Sequence, residues 1–379
     1  MNATYDLIII GGGPAGTSAA ISGTRAGARV LLLERSRFPR HKVCGEFVSA
    51  ESLGLLTELL DREHTALLQD AVRISQARVF LDGRVLQTVV EPPAASIARL
   101  DLDAALWNSA EHAGVDGRQQ VTVQSIAGTG PFQIVTTAGE FEGKSLVNAS
   151  GRWSNLKIPP SPGNHEGIHE VAQNEKWLGI KAHFAEEVPG LRSTAPSVDL
   201  YFFNGGYCGV QPVQVRGEKS VRRVNASAMV RADVATNLEE VLARHPVLQE
   251  RSRGWTSLSD PVSTSPLIFR DPQPEYERVL MAGDAAGFVD PFVGDGISLA
   301  LRSGALAASC LGPFFAGKTS LSEAATNYRQ RYGQTLLPVF RASSKIRQML
   351  KFPQAIRKPL LMVLEKTPAI TRYAVRKTR

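Results

Sequence analysis

The chain has 379 residues, 43% of them hydrophobic and 21% charged, which is the composition of a globular protein with two or three domains. Its three cysteines are widely spaced, and neither they nor the seven histidines show metal-ligand spacing, so we expect neither a disulfide framework nor a metal site. The N-terminal apolar run is short and follows no basic leader, so we expect no signal peptide or membrane span and a cytoplasmic protein.

The first elements predict a dinucleotide site. A strand over residues 5–10 leads into a glycine turn and a helix, and a second strand over 29–34 ends in an acid 23 residues after the first glycine. The glycines let the backbone approach a pyrophosphate, the helix N-terminus supplies amide donors, and the acid accepts hydrogen bonds from a ribose. The residues assigned to the cofactor here are Gly11, Gly13, Pro14, Ala15, Gly16 and Glu34.

The stretch RFPRHKVCGEFVS, residues 37–49, places three cationic side chains just before Cys44. This cysteine is either a working thiol beside a cofactor or a small apolar filler. The bases either activate the thiol or hold the cofactor phosphates, and Glu46 is either an acid near the site or a partner of those bases. We predict catalytic roles for Cys44 and Glu46, and cofactor contacts for Arg35, Lys42 and Cys44.

Two regions predict a mainly antiparallel sheet. The stretch ARVFLDGRVLQTVV, residues 77–90, indicates a hairpin around an Asp82-Gly83 turn. From residue 165 to 275, short apolar or alternating runs are separated by glycine and proline, as in successive antiparallel strands.

Four side chains of this sheet are candidates for a pocket. Tyr207 and Cys208 are predicted catalytic residues, although neighbours on a strand point to opposite faces and only one of them can face a cofactor. Lys181 and His183 share one face and are either pocket groups or satisfied sheet residues.

A second strand–turn–helix unit is RVLMAGDAAGFVDPFVGDGISLALRSG, residues 278–304. Its strand ends in Gly283-Asp284, and the loop PFVGDG leads into a helix rich in small residues. Two such motifs, some 270 residues apart, argue against a dehydrogenase that binds NAD alone. The pattern resembles the second FAD motif of flavoproteins with the p-hydroxybenzoate hydroxylase fold.

This resemblance implies FAD as the cofactor, with Asp284 on its ribityl chain and residues 291–296 along its isoalloxazine edge. The helix that begins near Gly296 then directs its positive end at the flavin N1–C2=O region, where negative charge accumulates on reduction. The resemblance also implies that Arg99, which opens a helix, lies near FAD. The cofactor contacts predicted in this second motif are Gly283, Asp284, Pro291, Gly294, Gly296 and Ile297.

The stretch HKVCGEF is similar to the Cys-Gly element of flavoproteins that resemble geranylgeranyl reductases, where the loop passes close to the flavin with the cysteine on its reactive face. Residues 204–213, NGGYCGVQPV, depart from the aromatic-rich stretch ending in Phe-Pro that those reductases tend to have. They also lack the tryptophans of the WxWxIP motif of flavin-dependent halogenases. The first difference counts against direct equivalence to a geranylgeranyl reductase, and the second counts against halogenation.

We therefore predict an α/β fold with a Rossmann-type FAD-binding domain, an inserted, mainly antiparallel β-sheet substrate domain and C-terminal helices. The FAD-binding domain is expected to be discontinuous, over residues 1–75, 98–160 and 276–330. The substrate domain is expected over 76–97 and 161–275, and a basic helical region over 331–379.

The net charge of +7 is concentrated near the C-terminus, where residues 341–379 carry eleven Lys or Arg and one acid. Apolar residues such as Phe352 and Ile356 are interleaved with these bases. The segment is either a helical cap on the protein itself or a helix that lies on an anionic membrane surface, which would make the protein peripheral. No recognition motif accompanies the charge, so we expect no nucleic acid partner.

Together these features predict an FAD-dependent oxidoreductase that reduces a carbon–carbon double bond of a lipophilic, polyprenyl or polyketide-like substrate. NAD(P)H is the expected transient reductant, with another donor as the alternative. The lack of a second nucleotide-binding domain does not exclude NAD(P)H, because the resemblance implies a fold in which it usually visits without its own Rossmann domain. The alternative is an NAD(P)H-dependent monooxygenase that hydroxylates an aromatic or polyketide, since the fold alone does not separate the two reactions. A halogenase and a non-catalytic flavin-binding protein rank below these, and the sequence does not indicate the oligomeric state.

Overall fold

The computed structural model describes residues 4–152, 176–186, 195–213, 222–267, 269, 271–350 and 352–366. The strands are β1 (Thr4–Ile10), β2 (Val30–Glu34), β3 (Phe47–Val48), β4 (Val72–Leu81), β5 (Arg84–Ser96), β6 (Asp116–Gln119), β7 (Val123–Ala127), β8 (Phe132–Thr136), β9 (Gly139–Asn148), β10 (Trp177–Ala185), β11 (Ser197–Phe203), β12 (Gly206–Pro212), β13 (Arg223–Arg231), β14 (Thr256–Ser257), β15 (Val262–Thr264), β16 (Glu275–Tyr276) and β17 (Val279–Met281). The helices are α1 (Pro14–Arg25), α2 (Leu53–Leu59), α3 (Ala66–Gln69), α4 (Arg99–His112), α5 (Leu238–Leu242), α6 (Pro246–Ser252), α7 (Gly296–Phe315), α8 (Leu321–Thr335), α9 (Leu337–Leu350) and α10 (Gln354–Lys366).

The first sheet is of the Rossmann type and holds the larger core. Its strand order is β16-β17-β9-β1-β2-β6, and the pairs β17–β9, β9–β1, β1–β2 and β2–β6 are parallel. The central strand β1 is an almost continuous apolar run because helices cover both faces of such a sheet. Accordingly, Leu7, Ile8 and Ile9 are fully buried.

The second sheet is mainly antiparallel, in the order β14-β10-β13-β12-β11-β4-β5-β3. Strand β11 pairs in parallel with β4, and the other pairs are antiparallel. The predicted hairpin turn is confirmed, since Asp82 and Gly83 both have positive φ between paired Leu81 and Arg84. The predicted fold class is therefore confirmed, while the exact domain boundaries stay a prediction.

Helices α1 and α7 pack closely and bring their N-termini to the same region. A Cβ added at Gly304 of α7 would lie 2.1 Å from the carbonyl oxygen of Ala15. The hydroxyl of Ser18 donates to the carbonyl of Leu301 at 2.7 Å. In the described part of the chain, α7 is also the one helix that is long and apolar enough to cross a membrane, but more than half of that stretch is buried inside the protein.

Two C-terminal helices, α9 and α10, follow α8 and pack on the body of the protein. Arg357 of α10 donates to both carboxylate oxygens of Asp82, at 3.0 and 2.9 Å, and so ties this helix to the β4–β5 hairpin. The basic region was predicted to be helical, and α9 and α10 confirm this up to residue 366. Residues 367–379 lie outside the described residues.

Candidate active site

The glycine turn between β1 and α1 has the shape that a pyrophosphate requires. Gly11 has φ +105°, and a Cβ there would lie 2.3 Å from the carbonyl oxygen of Ala149. A Cβ at Gly16 would lie 1.7 Å from the carbonyl oxygen of Gly11, so only glycine fits either position. A Cβ at Gly13 would have Nη2 of Arg99 as its nearest atom, at 3.9 Å, so this glycine borders an uncrowded space. Pro14 and Ala15 then begin α1, whose free amides face that space.

Glu34 lies at the end of β2, where an adenosine ribose would be bound. Its carboxylate is buried and accepts from the backbone amides of Gly12 and Ser36, each at 2.8 Å. Nη2 of Arg40 approaches it at 3.6 Å. Arg35, the next residue, is exposed and lines the rim of the cavity described below.

A cluster of cations surrounds the space in front of Gly13, formed by Arg40, Lys42, Arg99 and Arg152. Burial, reinforced by Arg40 and Arg99, lowers the pKa of Lys42 to about 8. Nε of Arg40 is buried and has no hydrogen-bond partner within the residues that the structure describes. Arg99 is compensated by a bidentate pair with the buried Asp103, at 2.6 and 2.7 Å, but repulsion from Arg40 and Arg99 still disfavours the charge on Lys42. An anion such as the pyrophosphate of FAD would therefore stabilise the cluster.

The second motif lines the same cavity. Gly283 follows β17 with φ +60°, and a Cβ there would lie 3.0 Å from that of Ala15. Asp284 is half-buried and lies 3.8 Å from Nε of Arg152. Gly294 has φ +77°, and α7 then begins at Gly296 with Ile297 buried behind it. Pro291 and the other predicted contacts of this motif line the cavity, so the structure brings both motifs together.

One continuous cavity of about 1230 Å³ joins the two glycine motifs to the second sheet. On the side of the glycine motifs it is lined by Gly11, Gly13, Glu34, Arg99 and Asp284. On the sheet side its wall is mostly apolar, with Val79, Leu81, Leu86, Val90, Leu200 and Phe202. A ligand with a charged dinucleotide part and an apolar molecule can therefore share one continuous space.

Cys44 lies between these two sides, half-buried, and lines the cavity. Its carbonyl accepts from the amide nitrogen of Asn225 at 3.0 Å, and its Sγ accepts from the backbone amide of Glu46 at 3.3 Å. The turn is therefore anchored on the second sheet. Its predicted catalytic role stays a prediction.

Glu46 is fully buried in an ion pair that the sequence did not indicate. Its partners are Lys181 and, at 2.7 Å, Nε2 of His183, and the backbone amide of Arg99 also donates to it. Burial raises the pKa of such a carboxyl, but His183 and Lys181 outweigh this and hold it below the usual range. The alternative in which Glu46 pairs with Arg40 or Lys42 is not observed. Its predicted catalytic role as an acid is not supported either, because an ionised carboxylate with occupied oxygens has no proton to give.

Tyr207 and Cys208 point to opposite faces of β12, as expected for a strand. Tyr207 lines the cavity and packs against Phe202 and Phe292. Cys208 is fully buried in the separate core behind the sheet, and burial raises the pKa of its thiol to about 12. The prediction that Cys208 is catalytic is therefore contradicted, because its neutral thiol faces away from the cavity.

Two buried carboxyls beside the cavity were not predicted from the sequence. Burial raises the pKa of Asp290 to about 7 and that of Asp295 to about 6. Asp295 accepts from the hydroxyl of Ser49 at 2.7 Å just before α7 begins. Both belong to the stretch VDPFVGDG, where the sequence analysis considered only the prolines and glycines.

The fold and the cavity define a dinucleotide-binding protein. A family model described as FAD dependent oxidoreductase matches residues 41–309, and a second model of that description matches residues 6–51. The chain belongs to the FAD-dependent oxidoreductase family.

The curated relatives include enzymes of several reaction types. Menaquinone reductase of Mycobacterium tuberculosis is 26% identical over 81% of this chain and 76% of its own length. Digeranylgeranylglycerophospholipid reductase of Methanocaldococcus jannaschii is 24% identical over 93% of this chain and 88% of its own. Conditioned medium factor receptor 1 of Dictyostelium discoideum is 24% identical over 81% of this chain, which spans 63% of that protein. Flavin-dependent halogenases and an FAD-dependent monooxygenase are also among the relatives.

Solved structures show the same fold. The flavin-dependent brominase Bmp2 superimposes with a TM-score of 0.76 at 19% identity, over 99% of this chain and 93% of that one. A geranylgeranyl bacteriochlorophyll reductase-like protein from Thermoplasma acidophilum gives a TM-score of 0.72 at 19% identity, over 99% and 95%.

Proposed function

We propose that this oxidoreductase reduces a carbon–carbon double bond of a lipophilic, polyprenyl or polyketide-like substrate. The observation that carries the proposal is the apolar wall of the second sheet, which continues the dinucleotide cleft without a barrier. The reductases among the relatives are named for prenylated lipids or quinones, which supports a long apolar substrate.

In this proposal the side chains of the site hold and orient the reactants. The cations around Lys42 bind the FAD pyrophosphate, Glu34 binds the ribose, and Asp284 holds the ribityl chain. Bound FAD supplies two-electron redox chemistry. The N-terminus of α7 stabilises the negative charge that accumulates on reduction, and the apolar sheet wall excludes water.

The double bond then gains a hydride equivalent at one carbon and a proton at the other. Cys44 is the proposed proton donor, since it lines the cavity between the cofactor side and the apolar side. NAD(P)H is the proposed source of electrons. A Cys44→Ala variant that keeps bound flavin and full turnover would remove the thiol from the mechanism and leave the reductase proposal intact.

The test is identification of the product. Purified protein is incubated without oxygen with a reductant and a mixture of prenylated lipids, and the lipids are analysed by mass spectrometry. The proposal predicts a lipid that has gained two hydrogens. A product with an added oxygen atom, formed only in air, would establish the monooxygenase alternative.

A further inference from the structure

Exposed large apolar side chains are frequent on the C-terminal helices. Eight are exposed in the described part of the chain, and four of them belong to α9, α10 or the turn between these two helices. We call these four the entrance patch: Met349, Phe352, Ile356 and Met362. Their exposed fractions lie between 37% and 56%, which indicates a surface that another apolar phase covers.

The entrance patch lies beside one end of the cavity. Helix α10 packs against β5, and the exposed Val85 and Val89 of that strand lie on the face opposite Leu86, outside the patch. Ile346 and Met349 of α9 and Leu86 of β5 line the cavity from within. The ion pair between Arg357 and Asp82 connects α10 to the hairpin tip at this end.

The charges of the same helices indicate what covers the patch. Arg341, Lys345 and Lys358 are exposed beside the apolar residues. Glu365 is the single acid from residue 341 to the end of the chain. Apolar side chains flanked by cations bind the interface of an anionic bilayer, where the apolar groups enter the acyl boundary and the bases meet lipid phosphates.

We propose that the entrance patch docks on an anionic lipid bilayer, and that the substrate passes from the bilayer into the cavity between the β4–β5 hairpin tip and α10. The Asp82–Arg357 pair closes this gap in the undocked protein. The docking surface is argued independently of the reaction, whereas the entry of substrate rests on the proposed function.

Docking is tested by co-sedimentation of the holoprotein with vesicles. Vesicles of phosphatidylcholine with phosphatidylglycerol should bind the protein, and vesicles of phosphatidylcholine alone should bind it weakly. Phe352→Ser with Ile356→Ser should weaken partitioning about tenfold, because two apolar contacts with the bilayer are lost. The matched control is Val247→Ser with Leu258→Ser, two exposed large apolar residues that the structure places outside the patch, and it should bind like the wild type.

Three results would overturn docking. The first is that the protein does not bind anionic vesicles. The second is that both double variants lose vesicle binding to the same extent. The third is that the protein sediments as a dimer, and that the Phe352 and Ile356 changes dissociate this dimer while the control changes do not. The last result would assign the patch to a second copy of the chain.

Entry is tested through Cys44, which lines the cavity while Cys208 and Cys310 are buried in the cores. Asp82→Asn keeps a residue that tolerates positive φ but loses the ion pair, so it should speed maleimide labelling of Cys44 several-fold. Asp233→Asn removes the exposed pair with Arg231 elsewhere and should leave the rate unchanged. An unchanged rate in Asp82→Asn would refute this entrance, and because no turnover is measured, that result is separate from failure of the proposed reaction.

Discussion

Glu46 determines how the Cys44 turn sits on the second sheet. It has φ +61°, which is unfavourable for a residue with a side chain, and its carboxylate is fully buried. A buried charge is tolerated only when its partners replace water, and here Lys181, His183 and the amide of Arg99 do so. The ion pair therefore fixes the position of the cavity wall at Cys44.

Replacing Lys181 by Met should destabilise the protein by about 3 kcal/mol, because the buried Glu46 loses one of its two charged partners. The same change should speed alkylation of Cys44, since the turn loses an anchor. Lys144→Met removes the exposed pair with Asp6 and should cost about 0.5 kcal/mol or less. Urea unfolding and thiol labelling measure both effects, and a Lys181→Met protein as stable as Lys144→Met would show that Glu46 does not rely on this pair.

Lys42 should make FAD binding depend on pH. Its pKa of about 8 in the FAD-free protein means that it is charged below pH 8 and neutral above it. Affinity for the FAD phosphates should therefore be constant below pH 8 and fall by up to about tenfold per pH unit above it, since binding requires uptake of one proton. Titration of the apoprotein with FAD checks this, and Lys42→Met should bind more weakly and without this pH dependence. A wild-type affinity that is flat through pH 8 would remove Lys42 from the phosphate site.

Part of the site could be predicted from local sequence, and part could not. The glycines, Glu34 and Asp284 belong to short motifs in which spacing alone indicates a role. The partners of Glu46 could not be predicted, because Lys181 lies 135 residues away and becomes its neighbour only through the pairing of the second sheet. Arg152 was missed for a similar reason, since it follows β9 and comes within 3.8 Å of Asp284 through the pairing of β9 with β17.

At the scale of elements, the contact of α1 with α7 places both helix N-termini at one cavity. The contact depends on Gly304, where backbone of the other helix takes the space of a side chain. A methyl group there would push α7 away from the turn that holds Gly13 and Pro14.

Gly304→Ala should cost about 2 kcal/mol or more and weaken FAD binding, because its Cβ would lie 2.1 Å from the carbonyl oxygen of Ala15. The control is Gly333→Ala in α8, where nothing lies within 4 Å of the added methyl. That change should stabilise the protein by about 0.5–1 kcal/mol through helix propensity. Thermal unfolding with and without FAD separates the two effects, and equal stability of the two variants would contradict the role of this contact.

Strongly patterned elements were predictable, whereas their pairing was not. The strand–turn–helix units at residues 5–34 and 279–315 and the hairpin at Asp82-Gly83 have signals within their own residues. The parallel pairing of β11 with β4, which places Leu200 beside Val79 on the cavity wall, joins segments more than a hundred residues apart. The hydrophobic pattern of each strand does not indicate which distant strand it pairs with.

At the scale of the whole molecule, two sheets enclose one cavity and the C-terminal helices form part of its wall. The sequence left two interpretations of the basic tail, a cap on the protein or a membrane-binding helix. Helices α9 and α10 do pack on the body, as a cap would, and they also leave Phe352 and Ile356 exposed. The two interpretations are therefore compatible, and binding to a membrane stays a proposal for the vesicle experiment.

The most direct test of the proposed reaction is a stopped-flow absorbance record of the flavin. The holoprotein is reduced with light under argon and mixed, still without oxygen, with prenylated lipid or with buffer alone. We predict that oxidised flavin returns only in the presence of lipid. Flavin that stays reduced with every lipid but reoxidises rapidly in air, with insertion of oxygen into a substrate, would contradict the reductase. A purified protein without a flavin spectrum that takes up no FAD would contradict the assignment of the cavity itself.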